Sequence, residues 1–181
     1  HTLVGNIYCR GGFDPLVGEK EMQMLTSQLR QQNIDTLRGQ IYADLSMKSG
    51  KKWGEGWCWD DKNPTLSPLL FQERPEFCSV LLQTMRKAGI VVVVPSERNV
   101  GTERHTPSSA HQLAQVSHSL EEVIIPMLKE SNNLIAEAVF YHLSAESVKA
   151  SATANQSRLQ IKKLLSFFPI NLLYLLQTYI K

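Results

Sequence analysis

An α+β (mixed α/β) fold is what the hydrophobic pattern of this chain predicts, and three stretches carry the prediction. Residues 3–10 and 37–44 are short runs rich in Leu, Ile, Val and Tyr, with a helix-length amphipathic stretch between them, which reads as a β-α-β unit. A further helix is followed by the β-branched run 90–94, a third strand. Beyond residue 119 the apolar spacing is helical.

Taken in order, residues 3–10 (LVGNIYCR) form a strand that stops at Gly11-Gly12. The glycines and Pro15 turn the chain, and no Lys-Ser/Thr follows them, so this is a turn and not a phosphate-binding loop. Residues 18–32 make a helix with Met22, Leu25 and Leu29 on one face and Glu19 and Glu21 near its positive end. Residues 37–44 give the second strand, around Ile41 and Tyr42. Residues 73–89 form a helix on which Phe77, Leu81, Met85 and Ala88 share a face, with Gly89 as its stop. Pro95 ends the strand at 90–94. Residues 96–109 are polar and loop-like, and 111–117 read as another strand before the helix that opens at 119–122. No internal repeat is present.

Residues 44–68 are the least regular part. Trp53, Trp57 and Trp59 lie among glycines and carboxylates (WGEGWCWDD), which fits either a packed loop or a wall for a ligand with a cationic group. Ser49-Gly50-Lys51-Lys52 has the spacing of a serine nucleophile with a lysine base. That spacing works only on a helix, and the intervening Gly with Trp53-Gly54 directly after makes it a chance match.

Composition excludes several classes. At 181 residues the chain suffices for one domain with a real core or two small ones. A net charge of +2, evenly spread, gives no nucleic-acid or membrane-surface footprint. Cys9, Cys58 and Cys78 form no C-x-x-C pair; one disulfide plus a thiol, or three buried thiols, both remain open. His105, His111 and His118 lack metal-ligand spacing, so no metal and no cofactor is implied. The chain opens on His1 without an initiator Met or signal segment, and reads as a piece of a longer precursor. The apolar run 164–180 is interrupted by Ser166, Pro169, Asn171 and Gln177. It falls short of a membrane span and reads as two short helices, buried or facing a partner, which leaves a homo-oligomer open.

The pivot of the chain is residues 126–138 (PMLKESNNLIAEA). Leu120, Val123, Ile124 and Leu128 fall at helical spacing before a polar Ser-Asn-Asn step, and Leu134, Ile135, Ala138 and Val139 do so after it. On local pattern alone Ser131 reads as the cap of the second helix. A hydroxyl and two amides between packed helices would also suit a site whose polar groups must not move. The second helix runs to about residue 143, a Ser/Ala-rich joint spans 144–155, and 156–168 is a last helix.

Together these segments resemble the penicillin-binding D-alanyl-D-alanine carboxypeptidases of the peptidase S13 type. Gly5-Asn6-Ile7-Tyr8 with Gly11-Gly12-Phe13-Asp14-Pro15 is similar to the family's G-x-L-Y…G-G-G-D-P. Gly39 through Ser46 is similar to its G-x-I-x-x-D-x-S, and Gly56-Trp57-Cys58-Trp59-Asp60-Asp61 to its G-W-x-W-D-D. His118 through Ala138 is similar to its H-S-x-x-L…M-x-K-x-S-[DN]-N-x-x-A-E. The match covers most of residues 3–145 and is specific through the combination, and it turns the reading of Ser131 from cap to catalytic group.

The resemblance implies a fragment of a penicillin-binding transpeptidase-like domain with an inserted β-α-β-containing domain. Residues 1–95 would be the inserted domain and 96–181 part of the helical, serine-peptidase-like domain. It implies acyl-enzyme hydrolysis of peptidoglycan stem peptides in an extracytoplasmic compartment, with β-lactams as ligands of the complete enzyme. Ser131 and Asn133 would be the S-x-N motif: the hydroxyl passes protons near the leaving group, and the amide orients the substrate carbonyl and the lysine. Asn132 should point elsewhere. Asp61 would meet the ammonium of a diaminopimelate-like side chain, with Trp59 and Leu66 as apolar wall. The S-x-x-K nucleophile, expected upstream of Leu3, and the K-T-G motif, expected well after Ser131, have no counterpart here. The family's D-G-S-G stretch is missing after Lys163, and the span between Pro68 and Phe77 is short. The chain therefore reads as a segment, a remnant or a degenerate copy. A non-catalytic peptidoglycan-binding module is the alternative.

Overall fold

The two predicted strands pair in parallel, and both break at the same point. The computed structural model describes residues 1–48, 66–148 (backbone alone for 146–148) and 151–167. β1 (Thr2–Val4) and β2 (Ile7–Arg10) are the halves of one run; β3 (Thr36–Arg38) and β4 (Ile41–Asp44) are the halves of the other. One sequence offset relates Thr2 to Thr36 and Ile7 to Ile41, so the ladder keeps its register across the break. At the break Gly5 N–H donates to Arg38 O at 3.0 Å, Ile7 N–H to Gln40 O at 2.9 Å, and Gln40 N–H to the Asn6 side-chain oxygen at 2.9 Å. The Asn6 amide stands in for a missing backbone partner.

β5 (Val91–Val93) adds in parallel to β3, giving the order β1-β3-β5. Farther along, Gly101 N–H donates to Ile41 O at 2.9 Å and Arg104 N–H to Ala43 O at 2.9 Å, so residues 101–104 flank β4. The crossovers are α1 (Glu19–Gln31) and α2 (Phe77–Lys87). Crossovers of one hand, the rule for parallel strands, that advance in one direction put both helices on one face of the sheet, and α1 and α2 pack together. Met22, Leu29, Leu37, Ile41, Leu81 and Met85 form the centre of this first core.

Two expectations change. α2 begins after the predicted residue 73, because Phe71 and Arg74 close a tight antiparallel turn with Gln72 and Glu73 at positive φ, and Pro75 follows. Residues 111–117 are not a strand. Three backbone groups of this segment are taken by side chains of α1 and its C-cap: Gln28 Nε2 donates to Gln115 O at 2.8 Å, Gln115 N–H donates to Gln28 Oε1 at 2.9 Å, and Gln32 Nε2 donates to Leu113 O. Side chains thus take at Leu113 and Gln115 the place a neighbouring strand would have.

The C-terminal part is α3 (Leu120–Glu130), α4 (Asn133–Val148) and α5 (Ala154–Leu165). α4 outruns its predicted end near 143 because Ser144 fits inside the helix pair. Its hydroxyl reaches Tyr141 O at 3.1 Å and lies 2.9 Å from that of Ser157 on α5, so the polar group need not leave the helix. α4 anchors a second core of Leu134, Ala138, Tyr141 and Ala145 with Phe13 and Leu70. Phe13 and Tyr141 stack at 6.1 Å. The apolar face expected on α3 is less covered: Val123 is its one buried residue, and Leu120 and Leu128 are exposed. No helix among the described residues is long and apolar enough to cross a membrane. The segments with Trp53, Trp57, Cys58, Trp59 and Asp61, the Ser49–Lys52 match and the apolar run from 168 lie outside the described residues.

Candidate functional site at the α3–α4 turn

The turn is built by ending one helix and starting another within two residues. α3 opens with a capping box: the Ser119 hydroxyl accepts from Glu122 N–H at 3.2 Å, and Ser119 N–H donates to Glu122 Oε2 at 2.7 Å. It closes on Ser131, whose backbone is left-handed at φ 51°, ψ 41°. That conformation costs a residue with a Cβ about 1 kcal/mol, and such residues gather at functional sites. Asn132 N–H folds back to Met127 O at 3.2 Å, and Ala136 N–H returns to Asn132 O at 3.1 Å, which starts α4.

Asn132 commits its side chain locally. Its oxygen accepts from Ile135 N–H at 3.1 Å, and its amide nitrogen donates to Glu73 Oε1 at 2.7 Å. The helix cap that local pattern assigns to Ser131 therefore belongs to Asn132. Ser131 and Asn133 are exposed, and neither side chain hydrogen-bonds another described residue. The turn thus presents a hydroxyl and a primary amide outward while the amide between them faces inward. Beneath it, Leu134, Ile135 and Ala138 are buried and fix the first turn of α4.

Of the other sequence-predicted residues, Leu66 is 3 % exposed and sits in the second core with Phe13 and Tyr141. His105 and His111 are exposed. His118 is held between carboxylates. Its Nδ1 is 2.9 Å from Asp14 Oδ2, its Nε2 is 3.4 Å from Glu21 Oε1, and its backbone N–H donates to Asp14 Oδ2 at 3.1 Å. Asp14 Oδ1 accepts from Leu16 N–H at 3.1 Å, and Glu21 Oε2 accepts from Gly18 N–H at 2.9 Å. Asp14 and His118 were visible as members of two quoted motifs, but nothing in their spacing shows that they meet.

Lys48, another residue that sequence reasoning passed over, is 8 % exposed with its Nζ 5.5 Å from the Tyr141 ring centroid. Burial pulls its ammonium below the usual lysine range, and the carboxylate of Glu137 on α4 opposes that shift. Cys9 and Cys78 are buried free thiols. A hydrogen bond with Cys78, then burial, pushes the Cys9 thiol well up and leaves it a weak nucleophile.

The model of the D-Ala-D-Ala carboxypeptidase 3 (S13) family matches residues 1–70 and 71–174. No curated protein matches the chain. Among solved structures, it is similar to penicillin binding protein 4 (dacB) from Haemophilus influenzae, with a TM-score of 0.75 and 17 % identity over 94 % of this chain and 55 % of that one. A structure of the Haemophilus influenzae protein complexed with a novel β-lactam gives a TM-score of 0.63 and 16 % identity, over 94 % and 53 %. At these identities the likeness carries the fold. The chain spans about half the length of the solved structures it matches, 55 % and 53 %. With its model running across nearly all of the sequence, through the Asp14 turn, the Asp44 strand and the Ser131 turn alike, the family is shown: the chain belongs to the D-Ala-D-Ala carboxypeptidase 3 (S13) family.

Proposed function

We propose that this chain is part of a serine-type D-alanyl-D-alanine carboxypeptidase or endopeptidase, acting on peptidoglycan stem peptides outside the cytoplasm through an acyl-enzyme. The observation that carries the reading is the left-handed Ser131 at the head of α4, with Asn132 turned inward and Ser131 and Asn133 left exposed. This is the alternation an S-x-N motif requires. Ser131 relays protons near the leaving group, and the Asn133 amide orients the substrate carbonyl and the lysine of the nucleophile motif. Residues 1–95 act as the inserted domain, and 96–181 as part of the peptidase domain. Asp61 pairs with the cationic end of the stem-peptide side chain and Trp59 supplies apolar wall, whereas Leu66, 3 % exposed in the second core, has its side chain committed to the fold and not to a ligand. β-Lactams engage the complete enzyme.

The sequence has no S-x-x-K on a helical pattern and no K-T-G, which favours a second reading for the chain by itself: a binding module without turnover. Removing the nucleophile removes the covalent route. The purified 181-residue chain should therefore take no covalent label from a fluorescent penicillin. It should still bind a stem pentapeptide in calorimetry, with weaker binding for Asn133→Ala and for Asp61→Ala. Covalent labelling would overturn the division of motifs. Pentapeptide binding that is absent, or indifferent to both substitutions, would overturn the site.

A further inference from the structure

We propose that His118 is a positioning residue whose doubly protonated ring, gripped between Asp14 and Glu21, holds the start of α3 and so fixes where the Ser131 turn points. The functional half of this statement rests on the reading of Ser131 and Asn133 as the site; the grip itself does not.

The geometry selects the charged ring. A neutral imidazole has one N–H and one bare lone pair, whereas an imidazolium donates from both nitrogens. Here each nitrogen faces a carboxylate, Nδ1 at 2.9 Å from Asp14 and Nε2 at 3.4 Å from Glu21. In the Nε2–H tautomer the Nδ1 lone pair would face Asp14 at 2.9 Å, and in the Nδ1–H tautomer a bare Nε2 would lie beside the Glu21 carboxylate, an ion-pair neighbour at 3.4 Å, with repulsion in either case. The side chains are only 17 % (His118), 20 % (Asp14) and 9 % (Glu21) exposed, so water screens that repulsion poorly. The other charged groups acting here are Glu122 of α3, which favours the imidazolium, and Lys20 of α1, which acts on Glu122. Burial lowers the imidazole's proton affinity, but the Asp14 hydrogen bond and the charges of Asp14, Glu21 and Glu122 outweigh it and leave it raised.

Position gives the grip its leverage. His118 directly precedes Ser119, the cap of α3, and Asp14 and Glu21 belong to the turn after β2 and to the first turn of α1. Apolar packing does little for α3: Val123 alone is buried, while Leu120, Ile125 and Leu128 are 60 %, 44 % and 69 % exposed. A helix so thinly packed depends on its polar anchor. A raised value means that the grip is complete below the ordinary imidazole value of about 6.5 and is lost as pH rises through the folded value.

The test uses the 181-residue chain, the His118 ring titrated by NMR, and amide exchange of α3 relative to the intrinsic rate at about pH 6 and about pH 9. The expected result is a midpoint above about 6.5, with α3 protection falling at the higher pH by about tenfold for each unit of that elevation. His118→Gln, which keeps a donor but no charge, should give low α3 protection that no longer changes with pH. Glu21→Gln should lower the wild-type midpoint, and serves if His118→Gln does not fold. A midpoint at or below about 6.5, a midpoint unmoved by Glu21→Gln, or wild-type α3 protection flat with pH would overturn the proposal. Stem-pentapeptide binding at the two pH values separates the two readings. If α3 protection falls and binding does not while Asn133→Ala still weakens binding, the positioning of the Ser131 turn is overturned; if Asn133→Ala has no effect either, the Ser131 site is wrong and the grip alone stands.

Discussion

Asn132 and Glu73 meet across the α3–α4 turn, the amide donating to a carboxylate oxygen at 2.7 Å while the other end of the same amide caps α4. One side chain thereby ties the turn before α2 to the head of α4. Asn132→Ala removes both contacts and should cost about 1–2 kcal/mol in chemical denaturation, the usual range for a lost N-cap. Asn132→Asp keeps the cap but sets a carboxylate against Glu73, so its cost should shrink in a Glu73→Gln background. A cost unchanged by the second substitution would mean that the two residues do not interact in solution.

Asp44 predicts an acid limb of stability. At the end of β4 it is 2 % exposed and accepts from Ser46 N–H at 3.0 Å, Thr106 N–H at 2.9 Å and the Thr106 hydroxyl at 2.5 Å. Burial pushes its carboxyl up, but the bonds from Ser46 and Thr106 prevail and hold it at about 2. A depressed value stabilises the fold above the unfolded value of about 3.9 and loses that contribution as pH falls through the folded one. Between those limits the wild type should lose about 2 kcal/mol that Asp44→Asn does not lose, measured as urea midpoints at several pH values.

Two glycines differ in the room they leave for a side chain. A Cβ on Gly39 would run into the Gly5 carbonyl in the neighbouring strand, whereas a Cβ on Gly12 would meet nothing. Gly39→Ala should therefore prevent folding or lower the melting temperature by many degrees, and Gly12→Ala should change it little. Equal melting temperatures for the two variants would show that the strands do not approach this closely.

The β-α-β unit was legible because its signals are local: alternating apolar runs, an amphipathic face on Met22 and Leu29, and a terminal Pro95. The break at Gly5-Asn6 was not legible, since it exists only through the opposing Gly39-Gln40. Residues 111–117 misled for a related reason. Their pattern fits a strand, but the glutamines of α1 and its C-cap that take three of their backbone groups lie far away in sequence. At the candidate site, the Ser-Asn-Asn step was visible as a polar interruption between helices. Which of the three residues turns inward depends on Glu73, and which ring holds α3 in place depends on Asp14 and Glu21. Neither pairing leaves a trace in local spacing.

The matched kinks in the sheet constrain how this segment can change length. Deleting one residue at positions 5–6 would slide β2 one step along β4 and turn Cys9 and its alternating neighbours to the opposite face. A compensating deletion at 39–40 would bring the two strands back into step. Insertions and deletions here should be tolerated only as twins, one in each strand, and a library that varies the length of either kink alone should return no folded members.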